Sequence, residues 1–139
     1  MEAITVSAKI DAPLARVWTC WTEPEHIKGW NFASPEWHCP AADNQLEAGG
    51  AFAYTMAARD GSMSFVFEGH FSEVIPERSI ASVLADGRKT LVSFEESDGH
   101  TIVTEVFDPE NMNPPDLQRA GWQSILDNFK KYAETMPAE

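Results

Sequence analysis

Residues 114–135, PPDLQRAGWQSILDNFKKYAET, carry the pattern on which the reading of the fold turns. Leu117, Gly121, Trp122, Ile125, Leu126, Phe129 and Ala133 recur at helical spacing, while Arg119, Gln123, Asp127, Lys130, Lys131 and Glu134 take the opposite face. Asn113 is a candidate N-cap, Pro114 suits a first helical position, and Asp116 places negative charge in the first turn. Asp127 and Lys131 are spaced for an i,i+4 pair. A helix of this length with a wide apolar stripe must cover something apolar. Gly121 costs about 1 kcal/mol relative to alanine inside a helix, so either a close neighbour or open room is expected beside it.

What the helix covers is read from residues 51–108. Five segments, approximately 51–58, 63–75, 78–85, 88–96 and 100–108, are rich in Val, Ile, Phe, Tyr and Thr. Asp60-Gly61, Asp86-Gly87 and Asp98-Gly99 fit two-residue hairpin loops, in which both residues take positive φ, and Pro76-Glu77 makes a fourth turn. Tight turns in sequence predict antiparallel neighbours in a meander. Residues 3–10 alternate apolar and polar and read as a further strand. Between them, Leu14, Val17, Trp18 and Trp21 form a short helical stripe. Thr22-Glu23-Pro24-Glu25 fits a capping box that opens a second short helix, with Gly29 as its left-handed stop. Residues 30–50 read as irregular. The predicted class is α+β: strand, two short helices, antiparallel meander, and a long C-terminal helix gripped by the curved sheet. One domain over 1–139 is expected, since a domain takes about 100–200 residues.

Composition narrows the function classes. With 22 Asp+Glu against 10 Lys+Arg, the formal net charge of −12 disfavours nucleic-acid phosphates and anionic membrane surfaces. Two cysteines, Cys20 and Cys39, form no CxxC pair, and the histidines lack metal-ligand spacing, so neither a metal nor a cofactor is expected. His38 beside Cys39 is a weak nucleophile pair, because sequence neighbours need not face each other and no orienting third group is evident. The N-terminus has neither a basic n-region nor an apolar h-region, and no apolar run reaches membrane-spanning length, so a cytoplasmic location is expected.

Alternation assigns the inner face of the sheet. Phe65, Phe67, Gly69 and Phe71 share one side, as do Phe52, Tyr54 and Met56. Gly69 marks a place where its strand can bend or bulge. In the last strand both sides are partly apolar. If Phe107 points inward then so does Glu105, whose carboxyl would face an aromatic pocket and shift in pKa; otherwise Glu105 faces solvent. Trp30 and Trp37, in the irregular segment, either plug the core or wall a pocket, whereas Trp18 and Trp21 read as core. Arg119 is expected to be solvated or paired with Asp116.

The runs Ile10-Asp11-Ala12-Pro13-Leu14-Ala15-Arg16-Val17-Trp18 and Thr22-Glu23-Pro24-Glu25-His26-Ile27-Lys28-Gly29-Trp30 resemble the opening of the SRPBCC superfamily. More narrowly, the sequence is similar to the bacterial branch related to the C-terminal domain of the heat-shock-protein-90 ATPase activator. Gly49-Gly50-Ala51-Phe52, Phe67-Glu68-Gly69-His70-Phe71 with Pro76-Glu77-Arg78, and Gly121-Trp122-Gln123-Ser124-Ile125-Leu126 extend the likeness along nearly the whole chain. The resemblance implies a helix-grip fold with an apolar cavity between sheet and long helix. The expected role is binding of a small hydrophobic or amphipathic ligand by Trp30, Trp37, Phe52, Tyr54, Phe67, Glu105 and Trp122. The alternatives are a module interacting with a chaperone ATPase, or a polyketide cyclase or hydrolase using Glu105 as general base. No catalytic signature singles out the last. An edge strand and loop aromatics leave a homodimer open.

Overall fold

Ile4, Val6 and Ile10 alternate with exposed neighbours, and this period of two lays one face of β1 (Ile4–Ile10) onto the core. The chain then forms α1 (Leu14–Thr22), α2 (Pro24–Ile27), β2 (Trp37–Asn44), β3 (Ala51–Ala58), β4 (Ser64–Ile75), β5 (Ser79–Leu84), β6 (Lys89–Ser97), β7 (His100–Phe107) and α3 (Pro115–Thr135). These elements come from a computed structural model, which describes residues 2–135. The strands make one antiparallel sheet in the order β1-β7-β6-β5-β4-β3-β2, so β1 closes the meander beside β7. The architecture is the predicted α+β helix grip: a curled seven-stranded sheet around a long C-terminal helix.

Curvature has local causes. At Gly69 an added Cβ would lie 2.3 Å from the Val83 carbonyl oxygen, so only glycine permits the close approach of β4 to β5. The register of that pair then shifts between Phe71 and Glu73, a bulge that bends the strand two residues beyond the glycine. Both sheet edges are blunted. Along β1, Lys130 Nζ donates to the Lys9 carbonyl at 2.7 Å and Gln123 Nε2 to that of Ser7 at 3.1 Å, so α3 covers that edge. Along β2, a register shift between His38 and Ala41 brackets Pro40, which breaks the outer ladder.

Several local expectations are corrected. Residues 30–50 are not wholly irregular, because β2 lies within them; Pro40 and the bulge erase the alternation that would have announced it. The capping box at Thr22 does not form. Thr22 Oγ1 instead donates to the Trp18 carbonyl at 2.8 Å, and the residue before α2 is Glu23, with no side-chain cap. Gly29 is not left-handed; it is needed because a Cβ there would meet Tyr132 Cε1 at 2.4 Å. Of the three Asp-Gly turns only Asp98-Gly99 has both φ values positive, at 52° and 80°; the others sit in longer loops with the glycine alone positive. In α3, which starts one residue later than predicted, Asn113 Nδ2 donates to Glu110 rather than capping. Leu117 falls outside the apolar stripe at 59% exposure, and the adjacent Gln118 is buried instead. Asp127 accepts from Gln123 Nε2 at 2.9 Å, and the i,i+4 ion pair of this helix joins Lys130 to Glu134.

Candidate functional site

Inward-facing residues line up in rows across the sheet. Phe71, Ser82, Thr90 and Phe107 are successive cross-strand partners, as are Ile80, Val92, Glu105 and Val6. A third row runs Phe52, Gly69, Leu84, and a fourth joins Tyr54 to Phe67. Over these rows α3 packs most closely along β1, with a smaller contact to α1, and its backbone stands off from the middle of the sheet. Large rings fill part of the gap. Trp21, Trp30 and Phe129 meet pairwise with ring centroids 4.8 Å apart, and Phe94 abuts both Trp18 and Trp21. Trp30 is fixed there by its Nε1–H, which donates to the Cys20 carbonyl at 2.9 Å.

Beyond that plug a cavity of about 200 Å³ remains. Trp122 forms part of its wall, stacked on Phe107 with centroids 3.8 Å apart and planes at 9°, and meets Phe67 edge-on at 5.9 Å. Phe52 packs between Phe71, at 5.1 Å, and Tyr54, at 5.4 Å. Of the predicted site residues, Trp30, Phe52, Tyr54, Phe67, Glu105 and Trp122 converge on this one cavity. Trp37 does not. It lies on β2 against Phe65, 5.8 Å between centroids, and it is Phe65 that reaches the rim. The loop tryptophans therefore split: Trp30 is both plug and wall, and Trp37 is neither.

Two titratable side chains line the cavity, Glu105 and Tyr54. Glu105 shares its face with Val103 and Phe107, both fully buried, which resolves the ambiguous alternation in favour of the inward orientation. No hydrogen bond or ion pair reaches its carboxyl among the described residues, and burial alone pushes its pKa from 4.5 to about 8. At neutral pH the group is mainly a neutral acid. Burial also pushes the Tyr54 hydroxyl up to about 12, although Asn44 Nδ2 donates to it at 3.1 Å. Asn44 is itself anchored by donating to the Thr22 carbonyl at 3.0 Å, and the Tyr54 O–H finds no acceptor among the described residues.

Sequence reasoning missed Asn44, Ser82, Thr90 and Trp21 as wall residues. Ser82 and Thr90 had a usable signal, since each alternates in step with buried neighbours, Ile80 and Leu84 in β5 and Val92 in β6. Asn44 had none, because it sits in the unforeseen strand. Elsewhere the chemistry is quiet. Burial raises the pKa of the Cys39 thiol, whose Sγ donates to the Ala41 carbonyl at 3.4 Å, so it is held as an unreactive thiol. No three His, Cys, Asp or Glu side chains gather as a ligand set among the described residues. Arg119 lies 3.8 Å from Asp116. No helix among them is long and apolar enough to cross a membrane.

The curled sheet, the gripped helix and the hollow between them define an SRPBCC-type helix-grip protein. The chain belongs to the family described as activator of Hsp90 ATPase homolog 1-like protein, whose model matches residues 11–134. Among solved structures it is similar to the AHSA1-like protein from Aeromonas hydrophila, at 38% identity over 98% of this chain and 99% of that one, TM-score 0.86. It is also similar to Chr148 from Cytophaga hutchinsonii, at 49% identity over 95% and 92%, TM-score 0.82. CV1439 from Chromobacterium violaceum shares the fold at 19% identity over 98% and 100%, TM-score 0.87. No curated protein matches the chain.

Proposed function

We propose that the protein binds a small hydrophobic or amphipathic molecule in the cavity between the sheet and α3. The observation that supports this reading is the hollow itself. Its wall is mostly aromatic and aliphatic, with a few unsatisfied polar groups, the usual make-up of a small-molecule site. A cavity of about 150 Å³ takes benzene, so this one holds a guest of roughly eight non-hydrogen atoms by the same scale. Burying about 250 Å² of guest surface contributes about 6 kcal/mol before association costs. With an association cost at the low end, about 4 kcal/mol, about 2 kcal/mol is left, a dissociation constant in the tens of millimolar. The test is titration with toluene, indole and benzyl alcohol, followed by shifts of the Trp122 and Tyr54 resonances. Saturable shifts confined to cavity residues, abolished in Ser82→Leu, are expected. Their absence for all three probes overturns the reading.

A second reading is interaction with a chaperone ATPase, as the family description suggests. It is favoured by the exposed Met63, Phe65 and Val66 around the β3–β4 turn. Stimulation of the host Hsp90-type ATPase, lost in a Met63→Ser/Val66→Ser variant, is its expected signature; no stimulation removes it. A general-base role for Glu105 is disfavoured, because a carboxyl with pKa about 8 is protonated at neutral pH and serves better as a donor.

A further inference from the structure

The cavity wall carries an acid and no base. Among the described residues that line it there is no Lys, Arg or His, and besides Glu105 only Tyr54 can titrate. Both point the same way chemically: among the described residues Glu105 has no counter-ion and Tyr54 has no acceptor for its proton. The rest of the wall near Glu105 is aromatic or aliphatic, with Phe107 two residues along the same strand face and the Trp122 ring stacked on it. Outside, the formal net charge of −12 adds a field of the same sign.

From this arrangement we infer that the cavity selects a compact amine, with Glu105 as counter-ion to its ammonium group and the Trp122, Phe67 and Tyr54 rings packed around its apolar body. The inference rests on the ligand-binding reading above and specifies the chemical class. Burying an ammonium without a partner is prohibitive, and so is burying a carboxylate without one; brought together in a largely apolar pocket, each offsets part of the other's cost. Aromatic faces add attraction for a cation that they withhold from a neutral guest. A carboxylate guest would meet a like charge or a buried acid and no cation, which excludes fatty-acid and benzoate-like molecules. Binding is balanced in protons. The neutral Glu105 acid gives its proton to solvent as the ammonium enters, so one proton is released for each guest taken up at neutral pH.

Benzylamine, benzyl alcohol and benzoate share a ring and differ in the head group, which makes them the probes for a calorimetric titration of the full chain. Above about pH 8, where Glu105 is ionised, the wild type is expected to bind benzylamine roughly tenfold tighter than benzyl alcohol, since hydrogen bonds to charged groups exceed neutral ones by about that factor, and the margin should shrink towards pH 7 as removing the Glu105 proton becomes costlier. Benzoate should not bind. In two buffers of different ionisation heat, benzylamine binding should release close to one proton at pH 7, and affinity should rise as pH climbs towards 8. Glu105→Gln should abolish the proton release and bring the affinities for benzylamine and benzyl alcohol level. Benzyl alcohol binding with no amine preference, or an amine preference surviving Glu105→Gln, overturns the inference and leaves the cavity reading standing. Failure of all three probes overturns both.

Discussion

Replacing Glu105 by glutamine removes an ionisable group and keeps its volume and polarity, which isolates the energetic effect of the charge. In an unfolded chain the carboxyl titrates near 4.5, and in the fold burial holds it near 8. Below about pH 4.5 both states are protonated and the wild type and variant should have matching stability. Above it, the unfolded chain ionises while the native one stays protonated, so wild-type stability falls as pH rises. At about 1.4 kcal/mol per pH unit the penalty reaches about 3 kcal/mol at pH 7 and levels off at about 5 kcal/mol above pH 8. These are ceilings, because the cavity admits water to the carboxyl and lowers the desolvation cost. Glu105→Gln should therefore be more stable than wild type by an amount that grows between pH 4.5 and 8 and then stays constant. Urea denaturation at half-unit pH intervals from 4 to 9 measures the difference, and the remaining acidic groups cancel between the two proteins. A gap that is flat across this range, or one in which the wild type gains with rising pH, would refute an inward, unpaired Glu105.

Three further substitutions test the packing that positions the site. Gly29→Ala puts a Cβ against the Tyr132 ring and breaks the 2.8 Å hydrogen bond between His26 Nδ1 and Tyr132 Oη, at an expected cost of about 1–3 kcal/mol in denaturant unfolding; an unchanged midpoint refutes the contact. Gly121→Ala should stabilise by about 0.5–1 kcal/mol and raise Tm, since no heavy atom lies within 4 Å of the added Cβ. A loss of stability there would mean that α3 has a close neighbour at that turn. Glu96→Ala should cost about 1 kcal/mol, because its Oε2 accepts from the Leu14 N–H at 2.9 Å and serves as the cap that Pro13 cannot provide; thermal unfolding reads it directly.

The parts legible in the sequence were those governed by strict periodicity. The α3 stripe, the β3–β7 meander and the inward set Phe52, Tyr54 and Phe67 followed from spacings of 3.6 and 2, whereas alternation left Glu105 open until Phe107 was seen to face inward. What escaped was governed by contacts distant in sequence. Gly29 looked like a helix stop, yet its constraint comes from Tyr132 in α3, more than a hundred residues away. The Thr22 capping box looked complete, yet α1 runs on through Thr22, whose hydroxyl turns back to Trp18. Trp37 and Trp30 were indistinguishable as loop aromatics; only the bulged course of β2 carries one to the outer edge while the short helices deliver the other beneath α3. Gln118 was hidden for the same reason: its amide is buried because Glu110 and Asn113 fold back onto it, with its Oε1 accepting from the Glu110 N–H at 2.9 Å.

Glu105 is the place where the fold departs from its own logic. Its cross-strand partners on the same face, Val6 and Val92, are buried valines, and a third valine there would extend an apolar row at no electrostatic cost. With its pKa raised by burial, the carboxyl is expected to weaken the protein at neutral pH, and no hydrogen bond or ion pair reaches it among the described residues. Structural acids are ordinarily hydrogen-bonded or paired, as Glu96 is at the start of α1 and Glu134 is with Lys130. An acid held unpaired, facing open volume and ringed by aromatics, is complementary to something the chain does not itself contain. That complementarity favours a cation: a neutral acceptor can engage only the protonated acid, whereas a cationic head group stabilises the ionised form and an anionic one opposes it.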